Sequence, residues 1–351
     1  MMQLFLEALD VWLFRDGRPF DAGSDHRAES MFPPYPSVVQ GAVRSHQLAR
    51  LGVDLTNREA VRAAVGDATD YKELRLRGPI VARRRPDGSL QRFFPIPADA
   101  APSGQTDHYR PLRPQAKPEG VLCSIPTPQL LLPVGEPRKE KAGLWLDENS
   151  LQRCLAGEAV SAIESKELFG RESRFSIGLD SRPRVTREGA LYEVEFIRPE
   201  PGVGLLVDVN GYNGWPSEGV LRIGGEGHAA RYTVVALPLK WPALPEQLPK
   251  RFKIYFATPT YFANGWQPAD WSRFFTGQVT LQAAAIPRYE TVGGYDLARD
   301  EHKPARRFVP AGSVYFFECT GQAQLRSGLV QHAITDFGAE IGFGQIIIKE
   351  W

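Results

Sequence analysis

The order of strand-like and helix-like segments in the first 200 residues constrains the fold of this chain most strongly. Residues 2–14 are rich in Leu, Phe, Val and Trp, which predicts a strand. A helix is predicted from Pro36, and two strands are predicted around the turn at residues 86–88. Helical signals return at residues 147–156, and residues 191–197 alternate as a strand does. This order of strand, helix, strand, strand, helix and strand is that of a ferredoxin-like domain.

Local motifs predict where these elements begin and end. Ser37 is predicted to cap the first helix and Gly52 to end it. Two capping boxes, at residues 56–59 and 161–164, predict further helix starts. Residues 98–120 hold four prolines and almost no aliphatic side chains, which predicts a long loop. One face of the first helix carries the small side chains Val38, Ala42, Ser45 and Ala49, and this face is predicted to lie close to a sheet.

The second half of the chain has few helical signals and a series of strand-like segments. This pattern predicts a β-rich second domain, with a first domain at residues 1–212 and a second at 213–351. Glycine and proline, with 33 and 29 residues, exceed their average usage and indicate many turns. The strands are predicted at residues 219–223, 231–237, 252–257, 277–286, 313–319 and 346–348.

Composition excludes several classes of protein. Hydrophobic residues make up 42% of the chain and charged residues 24%, as in globular proteins. The three cysteines, Cys123, Cys154 and Cys319, are too few and too far apart for a disulfide scaffold or a zinc motif. The opening segment lacks the form of a signal peptide, and no apolar run is long enough to span a membrane. We therefore expect a cytoplasmic protein that does not contact a membrane.

Catalytic and metal-binding motifs are not found in the sequence. The six histidines show no metal-ligand spacing, and the strings typical of phosphate-binding loops, serine hydrolases and dinucleotide sites do not occur. No cofactor is predicted. A binding protein is therefore favoured over an enzyme.

Basic residues are concentrated in two segments, although the net charge of the chain is only +1. Residues 71–92 hold seven basic residues against two acidic ones, and residues 171–187 hold five arginines against two acidic residues. Arginine makes planar, bidentate contacts with phosphate and stacks on exposed bases. The clusters are candidate phosphate-binding tracks, with an ordinary solvated face as the alternative for each.

Three glycine-containing loops and the start of the first helix are further candidate sites. A backbone without side chains can approach a ribose-phosphate chain closely, and a helix N-terminus attracts phosphate. Tight turns or simple capping explain the same residues equally well. A stretch with five aromatic residues at 262–275 is a stacking platform, a protein interface or part of a core. The loop candidates are Gly224 and Gly225, Gly293 and Gly294, and Gly342, Phe343 and Gly344.

Six ordered blocks of sequence resemble the Cmr-type CRISPR RAMP proteins, and specifically the third subunit of the type III-B effector complex. The resemblance spans almost the whole chain. The first block runs from Phe14-Arg15-Asp16-Gly17-Arg18-Pro19-Phe20 through Glu29-Ser30-Met31-Phe32-Pro33-Pro34-Tyr35-Pro36-Ser37 to Gly41-Ala42-Val43-Arg44. The others are residues 172–180, Glu188-Gly189-Ala190-Leu191-Tyr192, Gly224-Gly225-Glu226, residues 293–296 followed by residues 309–315, and Ile341-Gly342-Phe343-Gly344.

This resemblance implies an α+β fold of tandem ferredoxin-like (RRM-like) domains with long loop insertions. It also implies a non-catalytic subunit that grips the 5′ handle of CRISPR RNA (crRNA) in antiviral defence. Its expected neighbours are the Cas10-type large subunit and the first backbone RAMP subunit of the Cmr filament. The arginines expected to neutralise handle phosphates are Arg15, Arg18, Arg44 and those of residues 171–187, which include Arg171, Arg174, Arg182 and Arg184. Replacing Arg171 or Arg174 by alanine is expected to weaken handle binding with little loss of thermal stability.

Two other functions remain open at this stage. Some RAMP relatives cleave crRNA without metal, using a histidine or tyrosine as general base, and His26 and Tyr35 are the candidates in this chain. The second alternative is a protein scaffold without RNA contact, which would show no salt-dependent RNA affinity.

Overall fold

The computed structural model describes residues 1–15, 27–103, 107–123, 126–133, 141–179, 186–296 and 301–351. The α-helices are α1 (Pro36–Leu51), α2 (Arg58–Val65) and α3 (Glu148–Leu155). The strands are β1 (Met2–Ala8), β2 (Arg27–Ala28), β3 (Arg75–Arg84), β4 (Leu90–Pro95), β5 (Ala100–Pro102), β6 (His108–Pro111), β7 (Pro114–Ala116), β8 (Gln129–Leu131), β9 (Leu144–Asp147), β10 (Val160–Ser161), β11 (Ile163–Glu164), β12 (Phe169–Leu179), β13 (Thr186–Pro199), β14 (Val203–Asn210), β15 (Glu218–Arg222), β16 (Ala229–Val234), β17 (Arg251–Phe256), β18 (Phe275–Ala285), β19 (Glu290–Val292), β20 (Tyr295–Asp296), β21 (Glu301–His302), β22 (Arg306–Phe308), β23 (Val314–Leu325) and β24 (Ile346–Glu350).

The chain divides into two compact units, each assembled from three separate segments. The first unit contains Met1–Pro86, Lys166–Pro238 and Thr291–Arg306, and the second contains Asp87–Ser165, Leu239–Glu290 and Arg307–Trp351. This division differs from the predicted boundary between residues 212 and 213, because residues 87–165 group with the C-terminal part of the chain.

The sheet of the first unit has the strand order of a ferredoxin-like domain. Its strands lie in the order β3, β14, β1, β16 and β15. Strand β14 pairs antiparallel with both β1 and β3, so β1 and β3 are parallel to each other and are joined through α1. Strand β16 pairs antiparallel with the other edge of β1. A third strand inserted between the two parallel strands of a β-α-β unit defines the split arrangement of this fold.

Helix α1 begins differently from the prediction. Its N-cap is Tyr35, Pro36 occupies the first turn, and no side chain caps the helix. Ser37 therefore lies inside the helix and is not its cap. The N-terminal position suits proline because the first amides of a helix have no intrahelical acceptor. The helix ends at Gly52 as predicted, with φ of 61° at that residue.

The buried face of α1 is also shifted from the predicted one. The buried side chains include Val39, Ala42, Val43 and Leu48, whereas Ser45 and Ala49 are exposed and Val38 is half-buried. The larger aliphatic residues decided the orientation, since burying valine and leucine removes more apolar area from water than burying alanine or serine does.

Between β14 and β16, where the structure describes every residue, the second helix of the ferredoxin-like pattern does not occur. Strands β14 and β15 are joined by residues 211–217, and Trp215 of this connection packs edge-on against His46 of α1, with ring centroids 4.5 Å apart. The indole N–H of Trp215 donates a hydrogen bond of 2.9 Å to Gln47. Trp215 is only 8% exposed and also packs against Tyr232 of β16, with ring centroids 5.3 Å apart.

The second unit repeats the same strand order. Its sheet runs β18, β23, β17 and β24, with every neighbouring pair antiparallel. Numbered by their order along the chain, these are the second, third, first and fourth strands of the unit, as in the first unit. This order confirms the expected tandem ferredoxin-like architecture. The connections between these strands hold short 3-10 helices, at Trp271–Arg273, Val330–His332 and Ala339–Ile341. The scarcity of helical signals in this half of the sequence is thereby explained.

The aromatic stretch at 262–275 lies in the core of the second unit. Phe262, Phe274 and Phe275 are at most 3% exposed, and Trp266 and Trp271 pack against the same cluster. Trp271 stands edge-on to Phe317 with ring centroids 4.8 Å apart. Of the three interpretations left open by the sequence, internal packing is the one that the structure supports.

Two local predictions between residues 98 and 164 are wrong. The predicted loop at 98–120 contains β5, β6 and β7, and β6 pairs with both β5 and β10. The capping box at 161–164 forms β10 and β11, which pair with β6 and β9. Pairing with strands distant in sequence overrode the local signal in both places. The predictions of α2 and α3 are confirmed, with Asn57 and Asp147 as side-chain caps.

A buried ion pair joins two segments of the second unit. Asp99 and Lys253 have side chains 0% and 4% exposed, and their carboxylate oxygen and ammonium nitrogen are 3.5 Å apart. Burial raises the pKa of the Asp99 carboxyl, while Lys253 opposes that rise. Cys154 is buried nearby, and desolvation together with the charge of Asp99 raises the pKa of its thiol to about 12. Such a cysteine is an inert core residue.

Candidate nucleic-acid interface

Several of the predicted RNA-binding residues meet around Ser30 in the first unit. We name this region the Ser30 junction. It comprises residues 11–15, 28–31 and 223–228, together with the paired parts of β12 and β13 that contain Arg171 and Glu195. The hydroxyl of Ser30 accepts a hydrogen bond of 3.2 Å from the Phe14 amide, and the Met31 amide donates one of 2.9 Å to the Phe14 carbonyl. Arg15 forms a β-bridge with Ser30, and its side chain is exposed.

Arg171 is bound into the Ser30 junction by a carboxylate. Its guanidinium donates to the Ser30 carbonyl at 2.7 Å and forms an ion pair with Glu195. The Glu195 side chain is 7% exposed, whereas that of Arg171 is 48% exposed. Glu195 also accepts a hydrogen bond from the Ser30 amide. Arg171 therefore serves the fold, because without it a largely buried carboxylate would lose its counter-charge.

Replacing Arg171 by alanine is expected to lower the free energy of unfolding by about 1–3 kcal/mol, because the largely buried Glu195 loses this ion pair. Arg174→Ala is the matched control and should cost clearly less than Arg171→Ala, since the ion pairs of Arg174 are accessible to solvent. Urea unfolding followed by circular dichroism measures both. Equal, small losses in the two variants would restore the expectation that Arg171 contributes to binding without contributing to stability.

Arg174 belongs to a separate network on the opposite face of β12. It contacts Glu172 at 2.7 Å and Asp10 at 3.5 Å, and Arg198 contacts the same two carboxylates at 2.7 and 3.0 Å. The guanidinium of Arg174 also lies 4.9 Å from the ring centroid of Phe196. Hydrogen bonds from Arg198 lower the pKa of Asp10, and hydrogen bonds from Arg174 lower the pKa of Glu172.

The charges of this network cancel, because two arginines face two carboxylates. A phosphate approaching Arg174 would have to share or displace Glu172. Arg171 and Arg174 are three positions apart in one strand, so their side chains leave opposite faces and do not form one continuous track.

The helix-start candidates are held by local contacts. Arg44 donates a hydrogen bond of 3.0 Å to the Asp67 carbonyl and lies over the Tyr71 ring, 5.9 Å from its centroid. Ser37 is half-buried in the first turn of α1. Tyr35, the candidate general base, is 7% exposed, and its hydroxyl donates to the sulfur of Met31 at 2.8 Å.

Gly224 and Gly225 form a turn that packs on the Ser30 junction. The Gly225 amide donates a hydrogen bond of 2.9 Å to the Leu13 carbonyl. Gly224 has φ of +83°, and a Cβ there would lie 2.5 Å from the Leu13 carbonyl oxygen. Only glycine fits this close approach of two backbones. The same requirement accounts for the glycine pair without RNA, so the turn supports the position of residues 13–15 directly.

The other glycine loops have contacts of their own. Gly294, in the first unit, accepts a hydrogen bond of 2.8 Å from the Lys303 amide, next to Gly293. Gly342, Phe343 and Gly344 are buried in the second unit, where Phe343 packs against Phe308 with ring centroids 4.8 Å apart. These last three residues are core elements of their own unit.

Four sequence candidates fall outside the described residues. They are Arg18, Arg182, Arg184 and His26. Among the described positions, the Ser30 junction brings together Arg15, Arg171, Gly224 and Gly225, whereas Arg44, Arg174 and the Gly342–Gly344 segment are placed elsewhere.

Sequence reasoning missed Glu195, Asp10 and Arg198, which organise the two charged groups. A signal for Glu195 existed, because this carboxylate stands next to Val194 and Phe196 in an apolar strand. An acidic residue that a strand buries requires a cation or hydrogen-bond donors. Which cation supplies them depends on strand register, and Arg171 is 24 residues away along the chain.

Neither a metal-binding cluster nor a membrane-spanning helix occurs in the described part of the chain. No group of three or more His, Cys, Asp or Glu side chains there is placed to hold a metal ion. None of the helices found there combines the length and apolar character that crossing a membrane requires.

Comparison with known proteins identifies the family. Curated proteins yielded no match. Among solved structures, a chain of the type III-B Cmr-beta complex bound to cognate target RNA, determined by cryo-electron microscopy, is 13% identical with a TM-score of 0.49, covering 90% of this chain and 86% of that one. A chain of the Csm3–Csm4 subcomplex of the type III-A CRISPR-Cas interference complex, from a crystal structure, is 12% identical with a TM-score of 0.41, covering 93% of this chain and 99% of that one. The sequence model described as CRISPR-associated protein (Cas_Cmr3) matches residues 4–351. The chain therefore belongs to the Cas_Cmr3 family of CRISPR-associated proteins.

Proposed function

We propose that this chain is a non-catalytic subunit of a type III-B CRISPR effector complex and that it binds the 5′ handle of crRNA. In this role it bridges the Cas10-type large subunit and the backbone RAMP subunit of the Cmr filament. The observation that carries the proposal is the family match over residues 4–351. Two domains of the RRM-like type, which present sheets and loops to single-stranded RNA, are consistent with it.

The Ser30 junction supports the proposal because it fixes the backbone of residues 13–15. Hydrogen bonds from the Met31 and Gly225 amides hold the carbonyls of Phe14 and Leu13, so the backbone that leads into Arg15 is fixed in place. A rigid support of this kind orients phosphate-binding arginines without an entropic cost at binding. Contacts to phosphates then fix the register of the handle, and splayed bases supply sequence preference.

Replacing Arg15 and Arg18 by alanine is the most direct test of this role. Filter binding of crRNA to the assembled complex over a salt series should show affinity falling as salt rises, because phosphate contacts release counterions. Each contact with single-stranded RNA contributes roughly 0.7 to the log-log slope, so the Arg15→Ala/Arg18→Ala variant should lose roughly 1.4 of it. The control is Arg62→Ala, whose side chain is 70% exposed on α2 and pairs with Asp67.

Three results would contradict the proposal. An unchanged slope in the double variant removes these arginines from the interface. A complex in which deleting this chain leaves handle affinity unchanged makes it a scaffold. Recovery of shortened RNA after incubation in EDTA, with cutting lost in His26→Ala, makes it a metal-independent nuclease.

A further inference from the structure

Strand β15 is an open edge of the sheet in the first unit. It pairs with β16 on one side, and no described strand pairs with its other side. Glu218, Val220 and Arg222 are exposed, and the exposed fraction of Val220 is 52%. An edge of this kind presents unpaired backbone groups to any strand that can pair with it.

The hydrogen bonds at both ends of β15 show which residues carry the open backbone groups. The Val234 amide donates to the Ser217 carbonyl at 2.7 Å, and the Ile223 amide donates to the His228 carbonyl at 3.0 Å. Hydrogen-bonded pairs alternate along an antiparallel ladder, so the odd-numbered residues of β15 bond to β16. The amides and carbonyls of Glu218, Val220 and Arg222 therefore point away from the sheet.

The sequence of this edge complements itself in the antiparallel direction. When two copies pair about Val220, that residue faces Val220 of the second copy, and Glu218 faces Arg222 of the second copy. All three outward-pointing residues then fall in hydrogen-bonded pairs. The register that forms hydrogen bonds to the open amides and carbonyls is thus the register that also pairs opposite charges and brings two valine side chains together.

The other face of the strand also fits this pairing. Leu221 and Gly219 point to the face opposite Val220, and Leu221 is buried. In the same register Leu221 faces Gly219 of the second copy, which has no side chain to obstruct it. Within one copy Gly219 is required because a Cβ there would lie 2.6 Å from the Tyr232 hydroxyl.

We infer that β15 pairs edge to edge with β15 of a second copy of this chain, in an antiparallel, two-fold symmetric contact centred on Val220. The contact is isologous, because the same surface is used by both copies. A strand of five residues buries less area than a standard stable interface, so the dimer is weak and forms at high protein concentration. This inference is independent of the proposed RNA-binding role.

Exchanging charges tests the register. Sedimentation equilibrium of the isolated chain from micromolar to millimolar concentration should show a monomer–dimer equilibrium. Glu218→Arg and Arg222→Glu should each weaken the dimer about tenfold or more, because both symmetry-related pairs then place like charges opposite each other. The double variant Glu218→Arg/Arg222→Glu should restore the wild-type association, since the pairs are again of opposite charge.

Two further variants separate backbone pairing from folding. Val220→Pro removes an amide that β16 does not use, so it should abolish the dimer and leave the circular dichroism spectrum unchanged. Arg231→Glu, on the adjacent strand and exposed but not at the edge, should leave the dimer constant unchanged. Two results would overturn the inference: a wild-type chain that stays monomeric at millimolar concentration, or a double variant that associates no more strongly than the two single variants. The edge would then be available to pair with a strand of another protein.

Discussion

Replacing Lys253 by methionine is expected to destabilise the second unit by about 3–5 kcal/mol. The methionine fills a similar volume, but Asp99 keeps a charge that is 0% exposed and has lost its cation. The decrease should be read from urea unfolding monitored by tryptophan fluorescence. Because the pair is buried, the loss should persist at high salt, unlike the loss of a surface ion pair.

Variation of pH identifies the cause of that loss. Burial already raises the pKa of Asp99, and removing Lys253 takes away a contribution that lowers it. A carboxyl whose pKa is raised by folding contributes stability below its unfolded pKa of 3.8 and loses that contribution as pH rises through the folded value. The deficit of Lys253→Met should therefore shrink as pH falls from 8 toward 4. The double variant Asp99→Leu/Lys253→Met should recover most of the stability, and a double variant as unstable as the single one would show that packing is the cause instead of charge.

Replacing Gly344 by alanine is expected to cost about 2 kcal/mol or more. Gly344 has φ of +70°, and a Cβ there would lie 2.7 Å from the Ile334 carbonyl oxygen. Its amide donates to the Pro259 carbonyl at 2.9 Å. Neither backbone can move away without breaking these buried contacts, so the unfolding midpoint in urea should fall.

Gly41→Ala provides the opposite control. Gly41 lies inside α1, and a Cβ there would meet nothing within 4 Å, so alanine should stabilise the chain by about 0.5–1 kcal/mol.

The affinity of the folded Gly344→Ala variant for handle RNA should match that of the wild type. Weakened RNA binding without a loss of stability would instead support the sequence hypothesis that the Gly342–Gly344 loop admits the RNA strand.

The strands of both sheets could be predicted from sequence because alternation and turn residues are local signals. The six strand-like segments from residue 219 onward coincide with β15, β16, β17, β18, β23 and β24 to within a few residues at most ends. Helix signals were less reliable where pairing partners are distant, as at residues 161–164, which join two different sheets. The first strand, first helix and second strand of the ferredoxin-like order were predicted correctly. The predicted third strand and second helix are β4 and α3, which belong to the second unit, whereas the third and fourth strands of the first unit are β14 and β16.

The charged groups of the candidate interface could not be predicted in the same way. An arginine-rich segment looks the same in sequence whether its cations meet phosphates or carboxylates of the same chain. Arg171 is bound by Glu195 and by Ser30, which precedes it by 141 residues, and only the strand register brings these three together. Sequence reasoning singled out Arg15, Arg171 and the glycine pair but not Glu195, the carboxylate that binds Arg171.

The division of each unit among three separate segments determines how this chain can fold during synthesis. When residue 86 has left the ribosome, β1 and β3 exist without β14, the strand that lies between them, and β14 is made more than one hundred residues later. Residues 87–165 likewise cannot complete their unit until the segments after residue 238 have been synthesised. Contacts so distant in sequence slow folding and expose apolar edges in the meantime. A fragment that stops at residue 212 would lack β16 and would carry residues 87–165 without their partners, so neither half of the chain contains a complete folding unit.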